Sequence, residues 1–227
     1  MQAKTTREKI IQDCLGLVAT RGFNGTSMAD ISEKAAILRG SFYNYFKNKE
    51  EFISAVLDSY AEQWEKGVFE VLRNRTMSAK ARFAAFFERM KQMTESMQFS
   101  QGCFAGNLSQ EMSGVSDKFA SQVEKVFSRV QSHIAAALKE AQENGQLSQD
   151  EDANTLAEII LNSIEGAILR AKSARSSRPI EILSEFFLRK FTVQEISWNL
   201  DFNKYNSSTG AIRLKKLWGK YYYNGHW

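Results

Sequence analysis

Apolar side chains recur at intervals of three and four along the first stretch of the chain: Ile10, Ile11, Cys14, Leu15, Leu17 and Val18. That spacing predicts a helix over residues 5–21. Arg21-Gly22-Phe23 closes it, with Gly22 placed for a left-handed C-terminal cap. Asn24-Gly25-Thr26-Ser27 then reads as a turn ending in a capping residue, Thr26 or Ser27, with Asp30 in the first turn that follows. The next helix is short, residues 27–34, with Met28, Ile31 and Ala35 facing inward. After a break at Ala35–Leu38 comes a second short helix, Arg39 to Tyr45. Two short helices joined by such a turn describe a helix-turn-helix.

Asn48 caps a long fourth helix whose apolar face is Phe52, Val56, Leu57 and Tyr60. A break near Asn74–Ser78 leads to a helix carrying Phe83, Phe86, Phe87, Met90, Met93 and Met97. Residues 102–112 form another segment, and 117–143 a long amphipathic helix ended by Asn144-Gly145. Residues 151–174 repeat the pattern, and Pro179 sits where a first helical turn tolerates it, ahead of Ile182, Leu183, Phe186, Phe187 and Phe191. Nine helices and no strand precede residue 192, so the fold class is all-α. The divisions fall at 1–50, 51–193 and 194–227.

Composition agrees with that pattern. One proline in 227 residues leaves the helices unbroken, and 43% apolar residues suffice for a core. No apolar run reaches the ~18 residues that a membrane span needs, and the charged start lacks the apolar stretch of a signal peptide. Two cysteines, Cys14 and Cys103, are too few for a disulfide framework. A cytoplasmic protein is expected, with no membrane partner. The net charge of +4 is uneven: residues 1–50 hold eight Lys/Arg against five Asp/Glu. A basic head on a near-neutral body suits a polyanion. The tail, 194–227, is basic and aromatic, a mixture that can stack on nucleic acid or pack as an accessory segment.

The stretch from Thr26 to Phe52, TSMADISEKAAILRGSFYNYFKNKEEF, resembles the head of the TetR/AcrR repressor family. The match covers about forty-five residues, including the Arg21-Gly22-Phe23 turn. Two positions depart from the family: Ala36 stands where a turn glycine is usual, and Leu38 where a serine caps the recognition helix. The resemblance implies a ligand-responsive repressor that binds a pseudo-palindromic double-stranded operator as a homodimer. It makes 1–50 the helix-turn-helix DNA-binding domain and 51–193 the effector-binding and dimerisation domain, pairing through 151–174 and 179–191. Arg39 would reach guanine O6 and N7 or a phosphate, Gly40 and Ser41 would let the backbone approach, and Tyr43 and Asn44 would touch bases. Thr26, Ser27, Tyr45 and Lys49 fall where the family binds phosphate.

For a small-molecule effector, the soft residues Trp64, Phe86, Met90, Met93, Met97, Phe104 and Phe127 line a cavity or fill an ordinary core. Gly102 to Glu111 is similar to a G-C-x-x-G-N-x-x-x-E pattern in a branch whose members answer reactive or unsaturated molecules. Asn107 and Glu111, one turn apart, would bond a polar ligand or each other. Cys103 reads as an electrophile sensor or an inert thiol. No cofactor, metal cluster or enzyme signature stands out, and a Cys103–His133 nucleophilic pair has no motif behind it. The rival reading is a helical protein-interaction adaptor.

Overall fold

The structure is a computed structural model that describes residues 5–191. The expected tail, 194–227, lies outside them. Nine α-helices follow in order: α1 Thr6–Arg21, α2 Met28–Lys34, α3 Arg39–Phe42, α4 Lys49–Gly67, α5 Ala79–Ser96, α6 Phe104–Met112, α7 Asp117–Glu143, α8 Ala153–Ala174 and α9 Arg178–Leu188. A 3-10 turn at Phe69–Arg73 separates α4 from α5, which the sequence pattern does not predict. Among the described residues there is no strand, only an isolated bridge between Leu147 and Phe191.

Caps set most of these boundaries. Thr5 with Glu8, and Ser27 with Asp30, each form a reciprocal capping box at the starts of α1 and α2. Asn48 accepts from the Glu51 N–H at 2.8 Å, and Asp152 from Thr155 at 2.8 Å. Leu38, at the head of α3, has no side-chain acceptor to offer, and that helix is a single turn. It stops at Phe42, short of the expected Tyr45. Gly22 ends α1 with φ +73°, the positive φ expected of a glycine cap, but its ψ of −171° lies outside the left-handed helical basin.

Two apolar cores result. The first joins α1–α4 to α6 and the first half of α7, through residues such as Ile10, Phe42, Phe52, Leu57, Phe104 and Phe119. Within it the rings of Phe42 and Phe46 pack on Phe52 with centroids at 5.6 and 5.1 Å, which fixes α3 against α4. The second joins the 3-10 turn, α5, the rest of α7, α8 and α9. The fully buried Arg82 braces it, donating to the Leu72 carbonyl at 2.8 Å and to Glu140 at 3.0 Å. Trp64 and Cys103 pack against both cores, so the seam between them passes through those two side chains.

Candidate functional site

α3 and the turn after it, residues 39–45, carry polar and aromatic groups on their outer side, with Tyr45 leaning on the first core. Arg39, Gly40 and Asn44 are exposed, Tyr43 is 51% exposed, and Ser41 and Tyr45 are half-buried. Leu38 is 80% exposed, an apolar group held out at the start of that helix. Ser27 is exposed, but its hydroxyl is engaged with Asp30 in the capping box. Two expected phosphate contacts are placed otherwise. Thr26 is fully buried, and its hydroxyl donates to the Gly22 carbonyl at 2.7 Å, bracing the α1–α2 loop. The Lys49 ammonium lies over the Phe23 ring, 4.3 Å from its centroid. Partial burial lowers its pKa, and the nearby Glu111 carboxylate opposes that shift.

The same loop meets the body. Glu111, near the end of α6, accepts from the Asn24 N–H at 3.0 Å. Its carboxylate also lies against Gly22, whose φ of +73° is what favours a glycine there. Phe23 packs edge-to-face on Phe119 of α7 at 5.7 Å. Farther along α4, Gln122 of α7 donates to the Ser54 carbonyl at 3.0 Å and to Asp58 at 2.8 Å. The Tyr60 hydroxyl accepts from the Phe104 N–H at 3.3 Å. Loop and helix are therefore tied to α6 and α7 at several levels.

Between the two cores lies a small, mainly apolar cavity of about 50 Å³. Trp64, Phe86, Met90, Cys103 and Phe127 line it, together with Tyr60, Phe69, Val126, Ile164, Glu165 and Ile168. The other expected ligand residues do not. Phe104 is fully buried in the first core against Tyr60, with ring centroids at 5.6 Å. Met93 packs on the second core, and Met97 caps the end of α5. Asn107 lies near the backbone of Gly102, and Glu111 holds the α1–α2 loop. The heptad spacing of the methionines on α5 carries them past the cavity, so only Met90 reaches it.

The wall also holds groups that the methionine-aromatic pattern does not signal. Glu65 takes Arg73 at 2.9 Å and also pairs with Arg129, while Arg73 donates to His133 at 2.9 Å. Burial and Arg73 lower the pKa of His133, which favours the neutral ring. Its nitrogens are thereby taken, and no pairing with Cys103 forms. The Cys103 sulfur instead accepts from the Gly106 N–H at 3.5 Å, capping α6. Burial and the Glu165 carboxylate push its thiol far above the ordinary range, away from the thiolate that a reactive cysteine needs. Glu165 sits on the apolar face of α8, and burial raises its pKa as well. A charge set among Leu161, Ile164 and Ile168 is the sequence signal that could have found it.

Comparison with known proteins decides what this arrangement belongs to. Residues 10–56 match the family model "Bacterial regulatory proteins, tetR family", and 79–187 match "Tetracyclin repressor-like, C-terminal domain". The chain is 30% identical over 192 residues to Transcriptional regulator AcuR of Cereibacter sphaeroides, covering 85% of this chain and 88% of AcuR. This chain belongs to the TetR family. It is 27% identical to the HTH-type transcriptional repressor DhaR of a Mycobacterium species, covering 80% of this chain and 89% of DhaR. The crystal structure of a regulatory protein TetR from Rhodobacter sphaeroides superposes with a TM-score of 0.78 at 30% identity, covering 83% of this chain and all of that one.

Membership in the TetR family makes the chain an all-α regulator of transcription whose helix-turn-helix head binds DNA. Among the described residues, no helix is long and apolar enough to cross a membrane. No cluster of His, Cys, Asp and Glu among them is arranged to hold a metal ion.

Proposed function

We propose that this TetR-family protein is a cytoplasmic repressor that holds a pseudo-palindromic operator as a homodimer and releases it when a small molecule fills the cavity. One observation carries this reading: α4 runs from the head into the cavity wall. Its first residue, Lys49, packs on the head's Phe23, and Tyr60, Trp64 and Glu65 line the cavity. At about 1.5 Å per residue, Lys49 and Trp64 are roughly 22 Å apart along that helix. A molecule that displaces the Trp64 end swings the head, and in a dimer it alters the spacing of two heads. Binding and release are then linked through their differing affinities for the two spacings.

The division into 1–50 and 51–193 serves that mechanism. Arg39, Gly40, Ser41, Tyr43 and Asn44 face the major groove, and Ser27 and Tyr45 meet the phosphates. The dimer forms through α8 and α9, where Ile159, Leu169, Ile182 and Phe186 are more than half exposed. Apolar patches of that kind mark association surfaces, and a two-fold pair sets half-sites about 34–36 Å apart. The segment Gly102 to Glu111 supports a place in the branch with the G-C-x-x-G-N-x-x-x-E pattern. Its positions have work to do here: Cys103 caps α6, Gly106 admits Glu165, and Glu111 holds the loop.

The test is a competition gel shift with the DNA upstream of the protein's own gene, at two salt concentrations. Selective binding that falls steeply with salt and is lost in Arg39→Ala supports the repressor, because phosphate contacts release counterions. Salt-insensitive binding, or none that prefers this DNA, would favour the adaptor instead.

A further inference from the structure

The cavity contains one unmet demand. The indole N–H of Trp64 is buried without any hydrogen-bond partner, although Trp64 lines the cavity. Buried donors are nearly always satisfied, so one on a side chain that lines a cavity calls for an acceptor from outside the chain, an ordered water or a bound molecule. The rest of the lining is overwhelmingly apolar, with aromatic rings of Phe69, Phe86 and Phe127 around it.

We infer that the effector is a small, neutral, mainly apolar molecule bearing a hydrogen-bond acceptor, such as a carbonyl oxygen, which the Trp64 indole N–H engages. This rests on the reading of the cavity as the effector site. The polar part of the wall disfavours charged ligands without excluding them. Among the described residues, Arg129 and the neighbouring Arg73 both already pair with the one Glu65 carboxylate, so an anion competes with Glu65 for them. An ammonium ion offers the Trp64 N–H nothing to accept with. Glu165 is another polar group of the apolar wall, and burial raises its pKa. Its carboxyl is lodged against Gly106, with an oxygen 2.5 Å from where a Cβ there would lie, and Cys103 is its hydrogen-bonding neighbour. A ligand with one acceptor oxygen and a ring- or chain-like apolar body satisfies this wall, as ligand sites combine apolar walls with a few placed polar groups.

The experiment is calorimetric titration of the full chain with four probes of one shape: cyclohexanone, methylenecyclohexane, cyclohexanecarboxylate and cyclohexylammonium. Cyclohexanone is expected to bind best, and Trp64→Phe to weaken it by about tenfold while leaving methylenecyclohexane unchanged, the size of effect expected for one hydrogen bond to a buried donor. Glu165→Gln, which cannot ionise, retains the ketone. Circular dichroism melts of both variants check that they fold. The inference is overturned if the hydrocarbon or either ion binds as well as the ketone, if Trp64→Phe weakens all probes alike, or if none binds at millimolar concentration. Operator binding by the same wild-type preparation separates the two levels. If selective operator binding is present without ketone preference, only the ligand class fails; if it is absent, the repressor reading fails.

Discussion

Replacing Ala36 by glycine should stabilise the head. Ala36 has φ +52°, the left-handed region that a Cβ resists. The hydrogen bonds around it explain why the chain accepts this. Ile37 N–H reaches the Ser32 carbonyl at 3.0 Å, and Ala36 N–H reaches Glu33 at 3.1 Å. That is the Schellman closure of α2, whose C′ residue must be left-handed and is usually glycine. The strain on a non-glycine residue there is about 1–2 kcal/mol. Glycine's extra freedom in the unfolded chain offsets about 0.4–1 kcal/mol of the relief. Ala36 is exposed, so its methyl gives up no packing. The net expectation is a gain of about 0.5–1 kcal/mol, or about 1–4 °C in Tm for a chain of this size. Urea titration followed by circular dichroism should show a higher midpoint at unchanged slope. An unchanged or lower midpoint would refute the assignment of strain to this residue.

Leu38→Ser should supply the missing α3 cap and add about 0.5–1 kcal/mol in the same titration. A simultaneous change in operator preference in a gel shift would show that the exposed leucine touches the DNA. Glu111→Gln removes the charge from the bond to the Asn24 N–H. It should shrink the ratio of operator affinities measured without and with effector, whereas an undiminished ratio would remove α6 from the coupling. The wild-type chain should lose stability relative to Glu165→Gln as pH rises. Below the unfolded carboxyl value of about 4.3 both states are protonated. Above it the unfolded chain ionises first, so the deficit grows until pH passes the raised pKa of the buried Glu165 and then levels off. Urea midpoints of both proteins from pH 4 to 8 check this, and a pH-independent difference would count against it.

The helices were legible because their signals are local. Apolar spacing and side-chain caps located all nine, and boundaries such as Asp117–Glu143 match to the residue. The failures came where a boundary depends on something remote. Gly22 leaves α1 with a ψ outside the left-handed helical basin, where the Thr26 hydroxyl donates to its carbonyl and Glu111 lies beside it. The 3-10 turn at Phe69–Arg73 is held by the Arg82 guanidinium, which bonds the Leu72 carbonyl from α5. Neither contact leaves a mark on nearby sequence.

The cavity shows the same divide at the level of chemistry. Soft apolar residues announce a cavity wall and an ordinary core in the same way, and only the packing of α4, α6, α7 and α8 separates Met90, which lines it, from Met93 and Met97, which do not. Polar residues inside an apolar stripe carry more information, because burying one without a partner costs more than burying a methyl. His133 between Val130 and Ile134, and Glu165 beside Ile164, both break such stripes and both line the cavity. Trp64 is the harder case, since its ring fits the stripe and only its N–H does not. An amphipathic side chain hides its polar edge from any hydrophobic pattern, so the group that best defines the ligand is the one that periodicity is least able to reveal.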